Sequence, residues 1–320
     1  MVSENRDRGQ IMLIGAVAIA FIVLGLVSVY SAQLTARPAT TGAVGDSTAE
    51  ATELNREARR NARAITIRAN HDRPYYATRT ALNASVDDAV ANYSGLMAET
   101  YAGGRGAAVT VRYDGAARMG TRTVRHSDGP MTGGSDTWHP VDRPTDLGWF
   151  VFNFNLTAMD KGESFVVRVE NGTGADPPET TYTFTRNTTG TSVLSVEVDA
   201  ETGAATLGRG TCNPIGNRSV IDLTAGESFT SSCTFGPGTD RLTGPYTVTF
   251  EQSDNAVGKF GIVTDTRPTN WSALNTLPDC AGGGEPCNTY AAWNVTITTG
   301  YESGELSYEN TQNVTVYEGV

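Results

Sequence analysis

Four cysteines are the residues of this chain whose type and spacing point most directly to covalent chemistry. They form two pairs that are close in sequence, Cys212 with Cys233 and Cys280 with Cys287. Local pairs in an oxidising compartment favour two disulfides, although four cysteines allow three connectivities. Zinc binding is the competing interpretation, but no C-x-x-C spacing occurs and the three histidines all lie much earlier in the chain. We therefore predict two disulfides and no metal site.

Asparagine is the second residue type whose pattern suggests a modification. Nine of the nineteen asparagines begin an N-x-Ser/Thr sequence, the acceptor pattern for N-glycosylation. Any single match is more often an ordinary strand or turn asparagine, so the set carries more weight than its members. Together the matches predict a surface that is exposed outside the cell. The candidate sites are Asn83, Asn92, Asn155, Asn171, Asn187, Asn217, Asn270, Asn294 and Asn313.

The sequence contains no recognisable catalytic or cofactor-binding motif. A G-x-S-x-G elbow, an H-E-x-x-H pair, a P-loop and an EF-hand loop are all missing. His126, Ser127 and Asp128 are adjacent, but triads assemble in space, so a turn is the simpler interpretation. We predict a protein that is not an enzyme and binds no cofactor. The tryptophans are candidates for a sugar-binding groove, although in a β-sandwich they more often lie in the core: Trp138, Trp149, Trp271 and Trp293.

Charge is distributed unevenly along the chain. The net charge is -11, and residues 145–320 carry 8 basic and 21 acidic side chains, against 16 basic and 14 acidic ones in residues 1–144. The acidic part would repel phosphates, which argues against a nucleic-acid partner. Of 24 basic residues only Lys161 and Lys259 are lysine. This composition is typical of a halophilic archaeon, although a GC-rich genome would give the same excess of arginine.

Residues 11–29 form an apolar run of nineteen positions without a charge, directly after a short charged peptide. As a helix the run would be about 28 Å long, which is close to the hydrocarbon thickness of a bilayer. It is too long for an ordinary cleaved signal, and its n-region has no net positive charge, although Val29-Tyr30-Ser31 is an acceptable cleavage site. Removal of the run therefore ranks third, after a plain uncleaved anchor and a class III signal, which is cut before the apolar helix.

The junction Asp7-Arg8-Gly9-Gln10 followed at once by the apolar run resembles the processing site of archaeal type IV pilins and archaellins. The resemblance covers about the first thirty residues and implies that a prepilin peptidase cuts between Gly9 and Gln10. It departs from the family at Ile14, where bacterial pilins carry glutamate, and at Pro38, which interrupts the helix. Small residues that would let the apolar helix pack closely against pilin helices are Gly15, Ala16, Ala20 and Gly25.

The basic residues next to the apolar run predict its orientation. Arg6, Arg8 and the amino terminus precede it, whereas only Arg37 follows closely. The positive-inside rule therefore places residues 1–9 in the cytoplasm and the rest of the chain outside the cell, with a single pass through the bilayer.

Two amphipathic helices are predicted after a linker at 33–46. A capping box at Ser47 and a stripe of apolar residues from Ala51 to Ala69 indicate the first, and a stripe from Leu82 to Met97 indicates the second, which we expect from about Pro74 to Tyr101. The basic outer face of the first helix is either an ordinary solvated face or a contact for anionic lipid or an acidic subunit.

From residue 105 onward the apolar pattern changes to a period of two. We expect a β-hairpin and loop at 105–144 and many short strands at 145–320, separated by turns such as Asp160-Lys161-Gly162. The predicted class is α+β, with an N-terminal transmembrane helix, two amphipathic helices and a C-terminal antiparallel β-sandwich. The predicted domains are 1–9 leader, 10–32 apolar helix, 33–46 linker, 47–104 helical region, 105–144 hairpin and loop, and 145–320 extracellular domain.

These features favour a structural protein of the cell surface. The first hypothesis is a pilin-like, membrane-anchored subunit whose partners are the lipid bilayer, a prepilin peptidase and like or pilin subunits. The second is an anchored adhesin or carbohydrate-binding glycoprotein that does not polymerise. An extracellular hydrolase with a site assembled from distant residues is the third.

Overall fold

The computed structural model describes residues 43–71, 75–171, 179–188, 192–200, 205–266 and 277–318. The chain divides into two units, Met1–Ala51 and Thr52–Val320, and both sheets, the second helix and most of the first belong to the second unit. Helix α1 spans Ala43–His71 and helix α2 spans Arg79–Arg105. Thr78 caps α2, because its hydroxyl accepts a hydrogen bond from the Ala81 amide, and Gly106 ends the helix in a left-handed conformation.

Thirteen antiparallel strands make up two sheets in the described residues. The first sheet has the order β13-β12-β1-β11-β3-β8-β9, and the second has the order β2-β10-β4-β5-β6-β7. The strands are β1 Ala108–Pro130, β2 Trp138–Asp142, β3 Leu147–Asn155, β4 Ser164–Asn171, β5 Glu179–Arg186, β6 Leu194–Ala200, β7 Ala205–Cys212, β8 Arg218–Asp222, β9 Glu227–Ser228, β10 Tyr246–Glu251, β11 Val257–Thr264, β12 Cys287–Glu302 and β13 Ser307–Thr315.

The larger core lies between the two sheets and is centred on the aromatic face of β3. The alternation of side chains along a strand sends every second residue of β3 into this core, and Phe152 is fully buried at its middle. Its ring centroid lies 5.2 Å from those of Phe150 and Phe154. From the opposite sheet, Phe165 and Phe250 each approach it to 5.5 Å. Edge and tilted contacts of this kind add to the burial of the rings.

A second core lies between the helix pair and the outer face of the first sheet. In this core Ala58 and Ala62 of α1 and Leu82 and Val86 of α2 pack against β1, β12 and the residues after β13. In α2 the buried stripe passes through Val90, whereas Ala89 is only half-buried.

A polar cluster, which we call the latch, fastens the end of α1 to the first sheet. It consists of Asn70, His71, Arg122 and Tyr317. The Asn70 side chain exchanges two hydrogen bonds with the backbone of Ala292, at 2.9 and 2.8 Å, and the Arg122 guanidinium donates to the Asn70 carbonyl at 2.9 Å. Tyr317 Oη lies 3.0 Å from His71 Nε2 and accepts from Asn70 Nδ2 at 3.1 Å. Loss of one of these hydrogen bonds would lower the stability of the protein, because buried polar groups cannot bind water instead.

The expected fold class is wrong. The described residues are mostly β, with two antiparallel sheets and two helices, and neither helix is long and apolar enough to cross a membrane. Both helices have a charged outer face and a narrow apolar stripe, so they cover a sheet instead of forming a helical layer of their own. The predicted transmembrane helix at 10–32 and the leader at 1–9 lie outside the described residues.

Residues 105–144, where we expected a β-hairpin and loop, contribute strands to both sheets. Most of this segment is β1, a strand of 23 residues that pairs with β12 on one side and β11 on the other. Residues 138–142 form β2 at an edge of the second sheet. The predicted linker at 33–46 also ends earlier than expected, because α1 begins at Ala43.

Candidate functional site

The described residues form a concave site where the start of α2 meets the middle of β1 and the ends of β2 and β11. Its volume is about 420 Å³. We call it the arginine pocket, because three guanidinium groups line it together with one carboxylate. Its lining residues are Arg79, Ala117, Arg118, Met119, Arg143, Thr145, Asp265 and Thr266.

Asp265 organises the arginine pocket. Its carboxylate is 1% exposed and forms an ion pair with Arg118. The other carboxylate oxygen accepts hydrogen bonds from the backbone amides of Thr145 and Asp146, both at 2.9 Å. A buried carboxylate is stable only when it is paired and hydrogen-bonded, and here both requirements are met. Asp265 therefore fixes one arginine and also the loop that follows β2.

The second arginine, Arg143, belongs to that loop. Its backbone has φ of 52°, in the left-handed region that non-glycine residues rarely adopt. The loop is held from its other side by Tyr246, whose amide donates to the Pro144 carbonyl at 2.8 Å. A Cβ atom on Gly244 would lie 2.0 Å from the Thr145 carbonyl oxygen, so the backbones approach closely here. Several contacts thus hold an uncommon backbone conformation beside the pocket.

The remaining arginines come from α2 and β1. Arg79 is the first residue of α2, and its guanidinium donates to the Ala116 carbonyl at 3.2 Å. Arg118 lies at an irregularity of β1, where the pairing with β12 shifts register on both sides of this residue. Bulges of this kind redirect side chains, and the Arg118 side chain remains 48% exposed although its partner Asp265 is buried.

The electrostatic balance of the arginine pocket is positive. Asp265 compensates Arg118, whereas Arg79 and Arg143 have no carboxylate partner among the described residues. Nearby Asp146 has a pKa raised above its usual value, because burial disfavours its charged form and the Asp265 carboxylate repels it. The pocket is therefore an electropositive place in a chain whose net charge is -11.

The chemistry available to the pocket is recognition of an anion. Guanidinium groups present planar, permanently charged donors that match carboxylate, sulfate and phosphate oxygens. The lining contains no cysteine, serine or histidine that could act as a nucleophile or as a base. Within the described part of the chain, no group of three or more His, Cys, Asp or Glu side chains is placed to hold a metal ion.

All four cysteines are paired. Cys212 at the end of β7 is bonded to Cys233, with Cα atoms 5.1 Å apart, and Cys280 is bonded to Cys287 at the start of β12, with Cα atoms 4.9 Å apart. These are the pairs that proximity in sequence favoured, and both Cα distances are ordinary for disulfides. The first disulfide encloses β8 and β9, and the second encloses the short segment before β12.

The sequon asparagines differ in accessibility. Asn92, Asn217 and Asn313 have exposed side chains. Asn217 lies beside a second sequon, because its Nδ2 donates to Asn155 Oδ1 at 3.0 Å. Half-buried positions are Asn83, Asn155, Asn171, Asn187 and Asn294, and Asn270 lies outside the described residues. The exposed three present the most accessible amides for a glycan.

The tryptophans do not form a sugar-binding groove in the described residues. Trp138 and Trp293 are 8% and 3% exposed and belong to the two cores. Trp149 is half-buried, with its ring 4.1 Å from that of His71 in the latch. Trp271 lies outside the described residues. The described tryptophans therefore pack inside the protein and do not form a stacking surface for a ligand.

The adjacent residues His126, Ser127 and Asp128 do not form a triad. The ring of His126 lies 4.5 Å from that of Tyr75, the Ser127 amide donates to Glu285 at 2.7 Å, and Asp128 forms an ion pair with Arg218. The three side chains serve separate contacts in the strand and its turn.

Several predicted site residues lie outside the described residues: Gly9, Gln10, Gly15, Ala16, Ala20 and Gly25. The arginine pocket, in contrast, was not predicted. Its members are far apart in sequence and match no motif, so their spacing gives no signal. The sequence gives only a general signal, because arginines at 79, 118 and 143 precede an acidic C-terminal part. That charge distribution favours ion pairs between the two parts but does not identify the residues that form them.

One protein family resembles part of the chain. Residues 5–136 match a family of unknown function, DUF7261. The matched stretch includes the N-terminal apolar run, both helices and β1, and it ends before β2. It is less than half of the chain. A comparison of the chain with curated proteins found no match.

Proposed function

We propose that this chain is a membrane-anchored subunit of the cell surface that presents its two-sheet domain outside the cell. The apolar run at residues 11–29 is the anchor in this proposal, and a prepilin peptidase processes the chain between Gly9 and Gln10. The proposal treats the protein as pilin-like and assigns it no catalytic activity.

The pairing of all four cysteines is the observation that carries the proposal. Reducing compartments keep thiols reduced, so structural disulfides are typical of domains that fold outside the cytoplasm. The exposed sequons at Asn92, Asn217 and Asn313 support the same side of the membrane. An apolar run of bilayer length before such a domain supports attachment to the membrane.

Such a subunit would work by the insertion and packing of its apolar helix and not by a chemical reaction. An apolar helix satisfies its backbone hydrogen bonds internally and is held in lipid because water does not solvate its side chains. It leaves lipid only when like helices offer an equivalent apolar environment. Gly15 and Gly25, with the Ala16 and Ala20 pair, would allow close approach of neighbouring helices in such a bundle.

Cysteine labelling of intact cells tests the location of the domain. Gly304 is an exposed turn residue with no atom within 4 Å of a new Cβ, so Gly304→Cys places a thiol on the surface with little effect on folding. A membrane-impermeant maleimide should modify this variant in intact cells. The wild-type chain is the matched control, since its cysteines are all paired and should remain unmodified. Labelling of the variant only after lysis would contradict the proposal.

Replacement of Gly9 tests the processing step. Gly9→Val should block cleavage and leave a chain that is heavier by the leader residues 1–9, while the protein stays in the membrane fraction. An unchanged mass would refute processing at this site. Shearing of cells then separates two kinds of surface protein, because a filament subunit leaves with the filaments and a single anchored molecule does not.

A second candidate function is an anchored adhesin that does not polymerise. The arginine pocket favours it, because a concave, positively charged site of ligand size has no evident role in filament assembly. Retention of the protein in sheared cells, together with ligand binding by the pocket, would support this candidate over the pilin-like subunit.

A further inference from the structure

We propose that the arginine pocket binds an acidic saccharide, a sugar that carries a carboxylate or sulfate group. The shape, the positive charge and the lining of the pocket support this proposal. It holds whether or not the chain polymerises, and it does not depend on how the chain is anchored.

Two uncompensated guanidinium groups provide the anion contact. Arg118 is engaged by Asp265, but Arg79 and Arg143 have no carboxylate partner among the described residues. Arg79 keeps most of its donors available, because its one hydrogen bond within the described residues is the bond to Ala116. Planar cations that line one concavity are suited to the oxyanion groups of a ligand.

Internal contacts fix the loop beside the pocket. The Asp265 carboxylate ties the backbone at Thr145 and Asp146 to the end of β11, and Tyr246 holds Pro144 from the opposite side. Arg143 thus belongs to a loop that is fixed at neighbouring residues. Binding to such a preorganised site requires little ordering of the backbone, which improves affinity.

The size and lining of the pocket indicate the kind of anion. A volume of about 420 Å³ exceeds what a lone inorganic oxyanion fills, since one water occupies about 30 Å³ in the liquid. Thr145 and Thr266 offer hydroxyl groups for hydrogen bonds to a polyol. The lining has no aromatic ring on which a nucleobase could stack, and its apolar members are Ala117 and Met119. A hydrophilic organic anion fits these features best.

Calorimetric titration of the full chain in a non-ionic detergent tests the proposal. The probes are a galacturonic acid trimer, a sulfated chondroitin disaccharide, maltotriose as the neutral sugar, and inorganic sulfate. We expect at least one acidic sugar to bind with a Kd below 1 mM, and to bind at least tenfold more tightly than maltotriose or inorganic sulfate. Comparison of the two acidic probes identifies the preferred oxyanion.

Two double variants with equal charge loss separate the pocket from general attraction. Arg79→Gln with Arg143→Gln should weaken acidic-sugar binding at least tenfold. Arg59→Gln with Arg60→Gln removes two positive charges from the exposed face of α1 and should change it less than twofold. If the pocket double variant does not fold, the single variant Arg143→Gln, at an exposed loop position, should still weaken binding at least threefold.

Four results would overturn the proposal. The first is the absence of binding by either acidic sugar at 10 mM probe and low salt. The second is an equal loss of affinity in both double variants, which would show general charge attraction. The third is inorganic sulfate binding as tightly as the sugars. The fourth is self-association of the chain that disappears in the pocket variant without any sugar binding, which would assign the pocket to an acidic segment of a second copy.

Discussion

Replacement of His71 should change how the stability of the protein depends on pH. Burial, together with the charges of Arg122 and His126, lowers the pKa of His71 from 6.5 to about 3. Its Nε2 lies 3.0 Å from Tyr317 Oη, and its Nδ1 is buried without a hydrogen-bond partner among the described residues. The folded protein thus keeps this imidazole neutral, whereas the unfolded chain protonates it below about pH 6.5.

The sign and size of the effect follow from proton linkage. Between pH 6.5 and about pH 3 the unfolded state binds the additional proton, so the free energy of unfolding of the wild type falls as the pH falls. One pKa unit corresponds to about 1.4 kcal/mol, which gives a loss of about 3 to 5 kcal/mol across this window. His71→Phe removes the titration but also the bond from Tyr317, at a cost of about 1 kcal/mol. The two stability curves should therefore cross between about pH 5 and pH 6.

Urea unfolding of both proteins between pH 4 and pH 7.5 measures this difference. The variant should be less stable than the wild type at pH 7.5 and more stable at pH 4. Tyr317→Phe is the control, since it removes this hydrogen bond together with the one from Asn70 and keeps the imidazole, so it should be less stable at both pH values. Parallel curves for His71→Phe and the wild type would refute the buried, neutral state of His71.

Three further substitutions test separate parts of the structure by thermal and urea unfolding. Asp146→Asn should stabilise the protein at pH 7, because the raised pKa of Asp146 means that the fold disfavours its ionised form. The gain in stability should vanish below about pH 3.8, where the carboxyl group is protonated in both the folded and the unfolded state. Destabilisation at pH 7 would contradict the raised pKa. Gly208→Ala should lower the free energy of unfolding by about 2 kcal/mol or more, since its Cβ would lie 1.7 Å from the Phe235 carbonyl oxygen. Gly95→Ala, at an exposed position of α2, is the control and should stabilise the protein by about 0.5 to 1 kcal/mol. Equal effects of the two substitutions would argue against the close approach at Gly208. Cys280→Ser should cost about 2 to 3 kcal/mol and leave membrane attachment unchanged, and loss of attachment would contradict the separation of anchor and domain.

Sequence patterns located the elements whose residues alternate or recur clearly. The aromatic alternation of β3 predicted its inward face, which places Phe150, Phe152 and Phe154 in the core. The stripe of α1 likewise predicted buried positions at Ala58 and Ala62. These elements contain strong local periodicity, so the local pattern and the tertiary packing agree.

Two strands had no comparable pattern. The second half of β1 buries polar residues, such as Thr121, Arg122 and Thr123, and its partner strands lie more than a hundred residues further along the chain. β7 contains Gly208 and Gly210, which weaken a strand pattern. Their lack of side chains is required because Phe235 and Cys233 approach there. Long-range pairing fixes the second half of β1, and the close approach of Phe235 and Cys233 explains the glycines of β7.

The start of α2 shows the same limit at smaller scale. Proline is favoured in the first turn of a helix, so the sequence suggested Pro74 as the start, but Thr78 supplies the cap hydrogen bond and the helix begins at Arg79. That boundary matters for function, because it places Arg79 beside the arginine pocket. The pocket joins Arg79 to Asp265 across 186 positions of sequence, a proximity that only the folded chain creates.

The intact mass and N-terminal sequence of the protein recovered from cells test the central proposal most directly. A membrane-anchored, pilin-like subunit should be recovered in the membrane or filament fraction with Gln10 as its first residue and with residues 11–29 retained. A soluble protein in the medium that begins near residue 32 would contradict it.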